Sequence, residues 1–213
     1  MTRNTGNTIG WIVVSLLSFM IGWYPITYFL VDRNFGLLSS KSDELLDSMP
    51  WNIGFYCHII FGGIALLTGW IQFSKKIRTN RIHLHRIFGK IYVFSVFISS
   101  LAGIYIAIFA TGGMIASAGF IGLGLTWFFT TYFAFNHIRH RRILEHQQLM
   151  IYSFAACFAA VTLRIWLPVL TSLFHDFTIA YRIVAWLCWI PNILVAFFIN
   201  KKYTRFGFTQ SLN

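Results

Sequence analysis

Acidic side chains are scarce in this chain: 6 Asp and Glu against 17 Lys and Arg among 213 residues, for a formal net charge of +11. Only 11% of the residues are charged, whereas a soluble domain carries about 25%. None of the acidic residues falls inside a long apolar run. That leaves no buried carboxylate for proton coupling, which counts against a proton-driven transporter. The three cysteines, Cys57, Cys157 and Cys188, show no CxxC and no framework spacing. They read as buried thiols acting as small apolar residues. No long internal repeat, low-complexity tract or linker is visible. The basic surplus does not point to nucleic acid, because Lys and Arg punctuate apolar runs instead of forming a soluble basic face.

What is abundant is apolar length. Hydrophobic residues make up 57% of the chain, and the mean hydropathy is +0.65. A membrane-spanning helix needs about 20 mostly apolar residues. Six such runs are predicted, at about 9–31, 51–73, 87–110, 116–137, 147–170 and 178–200. The expected fold is an all-α polytopic bundle forming a single transmembrane domain over residues 1–213. The first run is too long for the core of a signal peptide and reads as a retained span.

The connections sort by charge. Arg3 precedes span one. Lys75, Lys76, Arg78, Arg81, Arg86 and Lys90 surround the link between spans two and three. Arg139, Arg141 and Arg142 lie between spans four and five, and Lys201, Lys202 and Arg205 follow span six. Alternating spans put all of these on one face of the membrane. The positive-inside rule makes that face cytoplasmic and places both termini there. The opposite face receives loop 32–50, with Asp32, Asp43, Glu44 and Asp47 against Arg33 and Lys41. In that loop, Ser42 is expected to cap a short helix, and Trp51 suits the interfacial belt. The expected location is a bacterial inner membrane.

Three ionisable residues inside the spans are not explained by orientation: His58, Arg164 and Arg182. At 1.5 Å per residue they lie about 10, 9 and 6 Å below the outer edge. Charged groups at such depth usually face the bundle interior or water. An anionic ligand near Arg164 and Arg182, such as a propionate, phosphate or carboxylate, suits the planar guanidinium fork; snorkelling to headgroups is the simpler alternative. His146, Met150, Ser153, Cys157, Ala160 and Arg164 form one stripe on span five. His58, Gly62, Ala65 and Gly69 share a face of span two, where small residues allow a helix or a flat cofactor to approach. Gly119, Gly122, Thr126, Thr130 and His137 give span four a face suited to tight packing. Pro191 is expected to kink span six and free a carbonyl beside Asn192.

Five histidines, His83, His85, His137, His140 and His146, gather near the cytoplasmic boundary. Imidazole suits haem iron, copper and zinc. Candidate metal ligands are His58, His85 and His146, with His85 and His146 a possible axial pair for haem b.

Two segments then carry a resemblance. His85-Arg86-Ile87-Phe88-Gly89-Lys90-Ile91-Tyr92 opens span three. His146-Gln147-Gln148-Leu149-Met150-Ile151-Tyr152-Ser153, running on to Ala159-Ala160-Val161-Thr162-Leu163-Arg164, makes span five. With His58, they resemble a bacterial family of predicted polytopic membrane proteins of unknown function, over roughly residues 55–170. The resemblance implies a polytopic membrane protein with His58, His85, His146 and Arg164 at its marked positions. The layout is more loosely similar to membrane cytochromes b, which pair histidines on facing helices; here span four has no deep histidine to face His58. The leading expectation is a haem- or quinone-linked redox component, with those four residues binding the cofactor. A membrane scaffold or assembly factor, a transporter of a small anion or metal, and an enzyme using His58 as acid or base are the alternatives.

Overall fold

The computed structural model describes the backbone of residues 5–31 and 36–210, and the side chains of residues 9–31 and 36–201. Arg3, Asp32 and Arg33, and the side chains of Lys202 and Arg205, lie outside the described residues. Every regular element among the described residues is helical. Six stretches are long and apolar enough to span a bilayer: Ile9–Leu30, Met49–Phe73, Ile82–Ala107, Met114–Arg139, Ile143–Phe174 and Phe177–Lys201. Large apolar side chains on them point outward, Leu173 at 68% and Phe198 at 65% exposure among them. In water so much exposed apolar surface would drive association; in a bilayer it is the surface that meets lipid. The chain is a multi-pass membrane protein.

The helices form two compact units, Met1–Thr111 and Gly112–Asn213. In the first, span one consists of α1 (Thr5–Trp23), a 3-10 turn (Tyr24–Ile26) and α2 (Thr27–Leu30). Pro25 sits at the start of the 3-10 turn, where its missing N–H costs little. Span one packs on α4 (Met49–Gly69) through glycine: a Cβ at Gly63 would stand 2.7 Å from the Gly22 carbonyl oxygen. The loop before α4 folds as a 3-10 turn (Gly36–Ser40) and α3 (Asp43–Asp47). Ser42 stands at the N-cap, as expected, but its side chain makes no capping bond; its carbonyl alone accepts from Leu45 N and Leu46 N. The loop is held instead by apolar burial, with Leu38, Leu46, Trp51 and Phe55 clustering against Tyr28, Tyr56 and Ile106. Trp51, expected in the interfacial belt, is buried at 2% exposure and stacks on Phe55.

Lys41 fastens this loop. Its Nζ donates to the Phe109 carbonyl (2.6 Å) and to Thr111 Oγ1 (3.0 Å). These groups lie just beyond α6 (Ile82–Ala107), so a cation meets a carbonyl and a hydroxyl in the turn that follows the helix, where the helix dipole favours positive charge. Burial lowers the Lys41 pKa from 10.5 to about 8. Between α4 and α6 lies the short α5 (Lys75–Asn80).

The second unit contains α7 (Met114–Arg139), α8 (Ile143–Cys157), α9 (Ala159–Phe174), α10 (Phe177–Leu187) and α11 (Ile190–Gln210). Gly119 lets α7 meet α10, since a Cβ there would lie 2.8 Å from the Ala185 carbonyl oxygen. The tight packing expected of this face of span four is thus present at Gly119. Span five breaks at Phe158, between α8 and α9, and span six breaks at Cys188–Trp189, just before Pro191. The two breaks are joined by side chains. Asn192 Nδ2 donates to the Cys188 carbonyl (2.9 Å), with Thr162 Oγ1 at 3.2 Å and the Ala155 carbonyl at 3.3 Å. Thr162 Oγ1 also donates to the Cys188 carbonyl. Carbonyls released by a broken helix are costly in lipid unless such donors reach them.

Candidate functional site

His58 stands on the face of α4 that packs against α6. Its Nδ1 lies 2.9 Å from the Ser99 carbonyl oxygen and 3.2 Å from Ser99 Oγ. A carbonyl can only accept, so Nδ1 carries the proton. In the neutral ring Nε2 then bears the lone pair. Ser99 Oγ donates in return to the His58 carbonyl at 2.8 Å, and the two residues clasp the helices reciprocally.

Glycine makes this approach possible. A Cβ on Gly103, one turn beyond Ser99, would stand 2.8 Å from His58 Nδ1 and 2.9 Å from Cε1. A Cβ on Gly62 would stand 3.1 Å from Ser99 Oγ. The imidazole therefore lies over bare backbone, and Ser99 is fully buried beneath it.

His85 has the opposite tautomer. The buried Gln72, which ends span two, reaches across to the first turns of α6. With its amide oriented to satisfy its neighbours, Nε2 donates to His85 Nδ1 (2.6 Å) and to the His85 carbonyl (3.1 Å), and Oε1 accepts from Gly89 N (3.1 Å). Nδ1 of His85 is then an acceptor and Nε2 carries the proton. A metal bond at that nitrogen requires the Gln72 amide to turn over.

His146, in the second unit, matches His58. Its Nδ1 lies 2.9 Å from the Ala134 carbonyl of α7, which again puts the proton on Nδ1 and the lone pair on Nε2. Farther along the same helix pair, the buried Ser153 and Thr131 hydroxyls meet at 2.6 Å. Ser153 and Cys157 are both buried, so the stripe expected to face inward does so over α8. Beyond the break at Phe158, Arg164 is half-buried and Nη1 donates to the Ala160 carbonyl of its own helix at 2.8 Å. Arg164 lies 18 positions from His146, about 27 Å along an unbroken helix, so the two do not share one small ligand. Arg182 is exposed, and its Nε donates to the Gly112 carbonyl at 2.8 Å, pinning the turn before α7.

His140 Nδ1 bonds to the Asn136 carbonyl of its own helix. Among the described residues, no three or more His, Cys, Asp or Glu side chains group to hold a metal ion. Zinc and copper centres built from protein ligands alone usually need three or four; a haem brings its own nitrogens and needs one or two imidazoles.

Sequence reasoning singled out His58 and His146 but missed Ser99, Gly103 and Gln72. A lone serine in an apolar run carries little signal. Gly62, one turn from His58, was read as allowing close approach, but its counterpart Gly103 on the facing helix was not.

The family model described as a predicted membrane protein, DUF2306, matches residues 55–200. The chain belongs to the DUF2306 family. Its matched region takes in His58, Ser99, Gly103, His146 and the Thr162–Asn192 pair. No curated protein and no solved structure matches the chain.

Proposed function

We propose that this DUF2306 protein is a redox component of the membrane that binds haem b or a quinone at His58 and at His146, each within its own unit. One observation carries the reading. Both imidazoles donate Nδ1–H to a backbone carbonyl of the adjacent helix, at 2.9 Å in each case. That bond fixes the ring and its tautomer and puts the lone pair on Nε2, as is usual for a ligating histidine. The same nitrogen can accept a hydrogen bond from a quinol hydroxyl. Haem iron held there would supply one-electron chemistry, and the chain's part would be to orient the ring and exclude water. Arg164, 18 positions beyond His146 on the same span, would serve a separate anionic group.

The test is the visible spectrum of the full chain purified after expression with ample haem. The expected result is a Soret band that is weakened in His58→Ala or His146→Ala. A colourless protein that also fails to bind a quinone analogue overturns the reading. A scaffold or assembly role is the second reading. It is favoured by polar side chains at helix contacts that satisfy one another, as in Thr131–Ser153 and Thr162–Asn192. A stable, cofactor-free protein would leave that reading standing.

A further inference from the structure

The knuckle between spans two and three carries Lys75, Lys76, Arg78, Arg81, Arg86 and Lys90, and no acidic residue lies between Asp47 and Glu145. Within the first unit, Asp43, Glu44 and Asp47 precede α4 while the knuckle follows it. A helix of 21 residues separates the two by about 30 Å, nearly four Debye lengths of about 8 Å at physiological ionic strength. The acidic groups of the second unit are already engaged. Glu145 pairs with Arg142 at 2.9 Å, and Asp176 caps α10 by accepting from Thr178 N and Ile179 N.

The knuckle is also a built structure. Gln72 ties the end of span two to His85 and Gly89. Arg78 N and Arg81 N bond back to the Ser74 and Ile77 carbonyls, and α5 packs against α6. Ile77 is half-buried, whereas Lys75, Lys76, Arg81, Arg86 and Lys90 are exposed.

Arg86 and Lys90 lie one turn apart, and their stripe continues through Phe94 and Leu101, which are 61% and 56% exposed. Cations at the head of a lipid-facing apolar stripe match one kind of molecule, a phosphate-bearing anionic lipid. A soluble phosphate or a nucleic acid would have no use for the apolar continuation. We propose that the α5–α6 knuckle binds the headgroup of an anionic phospholipid at Arg86 and Lys90, with an acyl chain lying along Phe94 and Leu101. The proposal is independent of the redox reading.

The test is native mass spectrometry of the full chain in detergent, with phosphatidylglycerol and phosphatidylcholine offered at equal concentration. Wild type is expected to retain phosphatidylglycerol preferentially and to lose it as salt is raised. Each cation near a membrane surface contributes about a five-fold factor. R86Q/K90Q is therefore expected to weaken retention about 25-fold, while R141Q/R142Q and R86K/K90R keep it. If R86Q/K90Q does not fold, Phe94→Ser and the salt titration of wild type carry the test. F94S is expected to weaken lipid retention but not to affect inorganic phosphate. Equal loss in R141Q/R142Q, undiminished retention in R86Q/K90Q, salt-insensitive retention, or displacement of the lipid by equimolar inorganic phosphate overturns the proposal. Capture of RNA or an acidic protein at the knuckle in place of lipid also overturns it.

Discussion

Gly103→Ala tests the His58 geometry without touching a polar atom. The added methyl would stand 2.8 Å from Nδ1 and 2.9 Å from Cε1 of an imidazole held to the Ser99 carbonyl. No carbon fits that close, and the ring cannot yield without breaking its hydrogen bond. Overpacking a tight interior costs about 1–3 kcal/mol, and the lost bond adds about 1 kcal/mol. The expected destabilisation is about 2–4 kcal/mol. Gly62→Ala, whose methyl would sit 3.1 Å from the Ser99 hydroxyl, asks only for a small adjustment and should cost about 1 kcal/mol. Reversible unfolding in mixed micelles measures both. NMR of ring-labelled His58 should report loss of the Nδ1–H tautomer in Gly103→Ala alone. Wild-type stability in Gly103→Ala, or an unchanged tautomer, would refute the close approach of this ring to α6.

Two further predictions concern polar groups outside the histidines. Asn192→Leu keeps the volume but removes the donor shared by the Cys188 and Ala155 carbonyls, and should cost about 1–2 kcal/mol, given the modest worth of interhelical hydrogen bonds in lipid. Combined with Thr162→Val, it should cost less than the sum of the single changes, because both donors serve the Cys188 carbonyl; strict additivity in a double-mutant cycle would contradict the shared role. For Lys41, a folded pKa of about 8 against 10.5 means that the unfolded chain binds more protons between those values, so its contribution to stability rises with pH across that window. Hydrogen exchange in segment 36–48 should slow from pH 8 to 10 relative to intrinsic rates, and Lys41→Met should abolish the dependence.

The spans were legible because bilayer thickness demands long apolar runs, and few other structures tolerate them. Their ends were less so. Span three begins at Ile82 instead of about residue 87, because Gln72 secures the first turns of α6 while Arg86 and Lys90 stay exposed. A reading by charge assigned those turns to a loop. The break in span six was announced by Pro191. The break at Phe158 had no proline or glycine to mark it, and the Thr162 hydroxyl beside it bonds to a carbonyl 26 positions away, which no local pattern announces. His58 stood out as a titratable group at depth, but its tautomer depended on Ser99 and Gly103, which only the pairing of α4 with α6 reveals. Lys41 read as one more loop charge, because nothing local says that it reaches the turn beyond a helix ending near residue 107.

The most direct test of the redox reading is the reduced-minus-oxidised visible spectrum of the full chain, expressed with ample haem, alongside His58→Ala, His146→Ala and Gly103→Ala. The account predicts haem bands in wild type, a loss of intensity in each histidine variant, and a shifted or weakened band in Gly103→Ala at a temperature where it is folded. Folded wild type with no haem signal and no quinone binding, or bands indifferent to both histidines, would contradict it.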